Sequence, residues 1–156
     1  MTDTAKKDQL RELVGYFFES NPFNRHIGLK KEMMDIDTNT MTLEMRDELV
    51  GNFAYHTLHG GVVATLLDLM GGYLVTLSVF NKTKEQTLAK QIERISKIGT
   101  IDLRIDYLLP GKGNCFKITG QLMRAGSKIA VTRTEIHNEE GRLIASGIGT
   151  YTTGWI

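Results

Sequence analysis

The sequence predicts an α+β fold in which one long apolar helix lies against a curved antiparallel sheet. Two observations carry this. The run at 62–79, VVATLLDLMGGYLVTLSV, is almost wholly apolar and far longer than a strand of about 5–6 residues, so it reads as a helix. From residue 101 the period changes to two: Ile101, Leu103, Ile105 and Tyr107 alternate with Asp102, Arg104 and Asp106. The resulting order of helix, hairpin, long helix and antiparallel meander implies α+β.

The elements follow in turn. Residues 5–19 form an amphipathic helix, with Leu10, Leu13, Val14, Phe17 and Phe18 at helical spacing. Ser20-Asn21-Pro22 stops it, because a residue before proline avoids the helical region. Its apolar stripe is expected to pack as a flank on the main body, giving a flanking helix at 1–22 and a single domain at 23–156. Residues 26–35 read as a strand, Asp37-Thr38-Asn39-Thr40 as a turn, and 41–45 as a second strand that closes a hairpin. A loop at 47–59 leads into the long helix, which polar residues 81–84 end. Leu88, Ile92 and Ile95 mark a short helix within 86–97, and Pro110-Gly111 closes the strand at 101–109. Strands at 115–124, 129–137 and 142–152 follow, separated by Ala125-Gly126-Ser127 and Glu139-Glu140-Gly141.

A chain of 156 residues suits one domain with a real core. Its net charge of +1 gives no pull toward nucleic acid or anionic membranes. The one cysteine, Cys115, allows no internal disulfide and fits a reducing compartment. The stretch MTDTAKKDQLRELV has no apolar signal core, so a cytoplasmic location is expected. No Walker loop, GxGxxG or metal-ligand spacing occurs, and neither cofactor nor metal is expected.

The long helix has two unlike faces at about 100° per residue. Val63, Leu66, Met70, Tyr73 and Leu77 form a bulky face suited to a core. Gly61, Ala64, Thr65, Gly71, Gly72 and Val75 surround the run's one carboxylate, Asp68, so that a backbone or a thin ligand could approach it. The run is long enough to span a bilayer, but Asp68 near its centre would cost about 2.5–3.5 kcal/mol there, which favours a buried helix.

At His59-Gly60-Gly61, nine residues before Asp68, the chain resembles the hotdog-fold acyl-CoA thioesterases, in particular the PaaI-like and YigI-like branch. That signature is an Asn, a short loop, His-Gly-Gly, and an acid two turns into the helix. The strand ending Tyr107-Leu108-Leu109-Pro110 is similar to the post-helix strand of that family, and the resemblance covers roughly 28–152. It implies a sheet wrapped around the central helix, a homodimer with active sites at the subunit interface, and in many members a dimer of dimers. It implies an acyl-CoA substrate of medium or long chain, or an aryl one, with no nucleic-acid or membrane partner.

The residues support roles of that kind. Gly60 and Gly61 start the helix, where unpaired N–H groups and the helix dipole favour the developing charge on a thioester oxygen. Asp68 is expected to be desolvated among apolar residues and to act as general base or nucleophile. Asn52 and His59 are candidates to orient the water, the thioester or the leaving sulfur, with His56 a solvated competitor. Thr100 matches a position where relatives place a water-binding serine. Lys112, Arg124, Lys128 and Arg133 are candidates for the coenzyme A phosphates. A non-catalytic acyl-CoA-binding module is the alternative function, and a hydratase would need an Asp/His arrangement not found in this sequence.

Overall fold

The structure, a computed structural model, describes residues 3–154. Helix α1 (Asp3–Ser20) ends where expected, but Pro22 does not end helical structure. The Asn21 side chain accepts the Phe23 N–H at 3.0 Å, and Pro22 takes the first position of a short helix α2 (Pro22–His26). The strand expected at 26–35 is therefore not formed. Gly28 lies at φ +71 with the Arg46 guanidinium against it, and Arg46 donates to the Ile27 carbonyl. This locks a turn, a 3-10 turn follows at Lys31–Met33, and only β1 (Met34–Asp35) is extended. The next turn forms as expected: Asp35 Oδ1 accepts the N–H groups of Asp37 and Thr38, and Asn39 takes φ 52.

Strand β2 (Thr40–Glu44) buries Met41 and Leu43 completely. The expected loop at 47–59 holds a 3-10 turn at Asp47–Leu49 and a small hairpin of β3 (Val50–Asn52) and β4 (Thr57–Leu58). Then come α3 (Gly60–Lys82), α4 (Leu88–Ile95), β5 (Thr100–Tyr107), β6 (Cys115–Ala125), β7 (Ile129–Asn138) and β8 (Leu143–Thr152).

The main sheet is antiparallel throughout in the order β1-β2-β6-β7-β8-β5. The meander expected from residue 101 onward is thus confined to β6, β7 and β8. The outer edge of β6 is taken by β2, with Met41 opposite Ile118, so β5 pairs instead with β8 at the far side, Leu103 opposite Gly149. The chain then crosses back through Leu108 and Leu109, whose N–H groups both donate to the Ile144 carbonyl.

The bulky face of α3 packs on this sheet as its spacing predicts. Val63, Leu66, Met70 and Tyr73 are buried with Phe116, Ile118, Ile136 and Ile144, and Val14 and Phe18 of α1 close the same cluster. A second cluster joins Leu13, Val75, Val79, Phe80, Ile95, Ala130 and Tyr151. By length and composition α3 could cross a membrane, yet half of its most apolar window is buried inside the domain.

Candidate active site

Asp68 sits in the third turn of α3, half-buried, and the expectation of a carboxylate alone among apolar residues is corrected. Two hydroxyls donate to its Oδ1: Thr100 from the start of β5 at 2.9 Å, and Tyr151 from β8 at 3.1 Å. Tyr151 also reaches the Asp68 backbone carbonyl at 3.1 Å. Among the described residues no hydrogen bond reaches Oδ2. Thr100 was legible from the sequence; Tyr151 was not, because a tyrosine in an alternating strand reads as core.

The small face of α3 is what lets Tyr151 in. A Cβ on Gly71 would collide with the Tyr151 hydroxyl, and one on Gly149 would lie 2.6 Å from the same ring. Burial, and then the charge of Asp68, push the Tyr151 hydroxyl well above its usual range, so it remains a proton donor.

The N-terminus of α3 is built differently. His59 is the cap, and its Nδ1 accepts the Gly61 N–H at 2.9 Å. That leaves the ring proton of the neutral imidazole on Nε2. The Gly61 N–H is therefore committed, and the Gly60 N–H makes no hydrogen bond among the described residues. Tyr107, which the sequence marks as part of the resemblance but gives no role in the site, donates to the Gly60 carbonyl at 2.9 Å. Asn52 accepts the Ala54 N–H at 3.1 Å and so shapes the exposed turn of the β3–β4 hairpin. His56 in that turn is exposed and faces Asp47 at 3.4 Å.

Not all of the expected site residues meet. Eight residues separate Gly60 from Asp68, about 12 Å along the axis at 1.5 Å per residue, so one chain cannot bring both to one thioester. The basic residues also divide. Lys112 precedes β6, whereas Arg124 and Lys128 lie at its other end, about 34 Å along the strand at about 3.4 Å per residue. Lys82 joins that second end by donating to the Ala125 carbonyl at 2.8 Å. Arg133 is paired with Glu135 at 2.9 Å.

A cavity of about 290 Å³ opens beside Asp68, lined by Leu69, Gly72, Tyr73, Thr100 and Tyr151 and by residues of α1. A larger surface groove, about 700 Å³, lies between α1 and β1; it is lined by Arg11, Glu12, Lys31 and Asp37 and does not include Asp68. Among the described residues no group of three His, Cys, Asp or Glu could hold a metal ion. The Cys115 thiol is pushed up by burial and by Glu139 and Glu44, which argues against a nucleophile.

A model of the thioesterase superfamily matches residues 55–145, which span β4, α3 with Asp68, α4, β5, β6, β7 and the first residues of β8. The chain belongs to the thioesterase superfamily. It is 41% identical, over 99% of its length and all of theirs, to a medium/long-chain acyl-CoA thioesterase YigI of Salmonella typhimurium. It is 28% identical to human acyl-coenzyme A thioesterase 13, over 97% of this chain and 99% of that one. A crystal structure from Shewanella oneidensis, described as related to the thioesterase superfamily, superposes with a TM-score of 0.87 at 36% identity, covering 97% of this chain and 99% of that one. The hotdog fold expected from the resemblance is the fold observed: a six-stranded antiparallel sheet with one long central helix.

Proposed function

We propose that this thioesterase hydrolyses medium- or long-chain acyl-CoA to the free acid and coenzyme A. The observation that carries the reading is the Asp68 carboxylate, which lines a cavity and is held through Oδ1 by two hydroxyls, with no hydrogen bond to Oδ2 among the described residues. In this reading Asp68 is the general base. Its Oδ2 takes a proton from water as the water oxygen attacks the thioester carbon. Negative charge on the carbonyl oxygen is met by the Gly60 N–H and the positive end of α3. The C–S bond then breaks. Coenzyme A leaves as the thiolate, accepts a hydrogen bond from His59 Nε2–H, and takes up through solvent the proton that Asp68 holds, which returns Asp68 to its carboxylate form. Thr100 holds Asp68 and offers its oxygen to the attacking water.

The separation of about 12 Å between Gly60 and Asp68 supports a site shared by two copies, with the Gly60 N–H of a second copy facing Asp68. We therefore take the working form as a homodimer, able to pair into a dimer of dimers. Residues 1–22 flank a single catalytic domain at 23–156, and the free cysteine fits a cytoplasmic setting. No cofactor enters this scheme, because water and the side chains supply every proton and bond. Lys82, Arg124 and Lys128 at one end of β6 are assigned to the coenzyme A phosphates, with Lys112 as a separate second locus.

The deciding experiment is single-turnover thiol release from a long-chain acyl-CoA by the native protein and Asp68→Asn. The variant is expected to fold and to bind acyl-CoA, with hydrolysis slowed at least about 100-fold, the loss typical of a general base. Equal rates would remove Asp68 from the reaction. A native protein that binds without hydrolysis would instead make it an acyl-CoA-binding module.

A further inference from the structure

The cavity beside Asp68 has a floor, a roof and a chemical gradient. The floor is one stripe of α3, Asp68, Gly72 and Thr76, about 12 Å long at 1.5 Å per residue. The roof comes from Val14, Phe17 and Phe18 of α1, and Ile95 and Ile98 close the side. Four polar side chains other than those around the carboxylate also line it, and each has a hydrogen bond within the protein: Tyr73 donates to Asn39 at 3.1 Å, and the other three are tied to backbone. Asn24 donates to the Phe18 carbonyl at 3.0 Å, Asn21 accepts the Phe23 N–H at 3.0 Å, and Thr76 donates to the Gly72 carbonyl at 2.9 Å. Away from Asp68, Thr100 and Tyr151 the lining therefore asks little of a polar ligand and suits an alkyl chain.

Gly72 is the open point of the floor. A Cβ there meets only Tyr151 Cε1, at 3.9 Å, whereas a Cβ on the neighbouring Gly71 would collide with Tyr151. The void at Gly72 is thus not filled by the protein's own packing. The roof helix α1 also lies outside residues 55–145, the part matched by the superfamily model.

We infer that α1 closes the pocket for the acyl chain and that Gly72 sets how long a chain the pocket accepts. This rests on the thioesterase reading above. The thioester carbonyl sits at Asp68, and the alkyl chain runs along α3 beneath Phe17 and past Gly72 toward Ile95. Any side chain at position 72 enters the path of the chain about one helical turn from the carboxylate.

The test compares kcat/KM for hexanoyl-CoA and palmitoyl-CoA in the native protein, Gly72→Ala, Gly72→Leu and Phe17→Ala, with folding checked by circular dichroism. Alanine and leucine both favour a helix over glycine. Gly72→Leu is expected to raise the hexanoyl-to-palmitoyl ratio at least about tenfold, the scale of discrimination an apolar pocket gives for small differences in chain. Gly72→Ala should move it less in the same direction, and Phe17→Ala, which opens the roof, should lower it. If Gly72→Leu does not fold, the other two variants decide. Ratios that stay at the native value in the folded variants overturn the pocket and leave the thioesterase reading intact. A native protein inactive on every acyl-CoA overturns both.

Discussion

Helix α3 carries two glycine pairs that do opposite things. At Gly60 no side chain crowds the backbone: a Cβ there would touch Tyr107 at an ordinary 3.6 Å, and the Gly60 N–H is left without a partner among the described residues, whereas a Cβ on Gly61 would lie 3.0 Å from the His59 ring that takes that residue's N–H. At Gly71-Gly72, three turns on, the missing side chains make space. Tyr151 fills the space at Gly71, and that at Gly72 stays open. In the first pair Gly60 exposes a backbone donor, and the second pair supplies volume. Glycine in a helix interior costs roughly 0.5–1 kcal/mol against alanine, so the second pair needs a reason to persist.

The contrast can be broken at the first pair with the largest effect. Gly60→Pro removes one N–H donor, and loss of one such donor costs about 100- to 1000-fold in turnover. The structure shows why the fold should survive: Gly60 is the first helical residue, where proline is tolerated, and His59 before it has ψ 135, as a residue preceding proline requires. Mixing this variant with Asp68→Asn should recover part of the activity, because one site of a mixed dimer then has both native groups. No recovery would show that both groups act within one chain.

The second pair gives smaller effects. Tyr151→Phe deletes a hydroxyl bonded to a carboxylate, an interaction of about 1.5–3 kcal/mol. It should lower kcat about tenfold or more with KM unchanged; a change in KM alone would mean that Tyr151 shapes the pocket and not the acid. Gly71→Ala forces the sheet away from the helix and should cost about 1–3 kcal/mol in urea unfolding, whereas Gly72→Ala should be neutral or stabilising by up to about 1 kcal/mol. Equal destabilisation by the two substitutions would erase the distinction drawn here.

The smallest effect concerns Tyr73, on the bulky face between the two kinds of packing. Its hydroxyl donates to Asn39 at 3.1 Å, and burial, then Asp35 and Asp37, push it from 10.0 up to about 12. A raised pKa in the folded state contributes stability that is fully present below the unfolded value near pH 10 and is lost as pH rises through about 12. Urea midpoints of the native protein should fall over that window, and those of Tyr73→Phe should fall less.

Much of this was readable in advance. The bulky face of α3 and the alternation of Met41 and Leu43 follow from period and spacing, and Thr100 was marked by the family resemblance, though its hydrogen bond to Asp68 was not. What was hidden depends on contacts between distant segments. Position 26–35 has apolar residues at strand spacing, but its conformation is set by Arg46 against Gly28 and the Ile27 carbonyl. β5 continues the alternating pattern, yet its neighbour depends on β2 having taken the edge of β6. Tyr151 looks like any strand aromatic until Gly71 and Gly149 are seen to clear its path to Asp68.

The hydrogen bond between Tyr151 and Asp68 spans 83 residues, and β8 is the last strand of the sheet in chain order. During synthesis at about 5–20 residues per second, the acid therefore waits about 4–17 s for this partner. Until β8 docks, the Tyr151 ring is missing from the groove beside Gly71, and the carboxylate is free to sample other rotamers. The nascent chain carries its reactive acid long before it can aim it, so the onset of hydrolysis would report the arrival of the final strand.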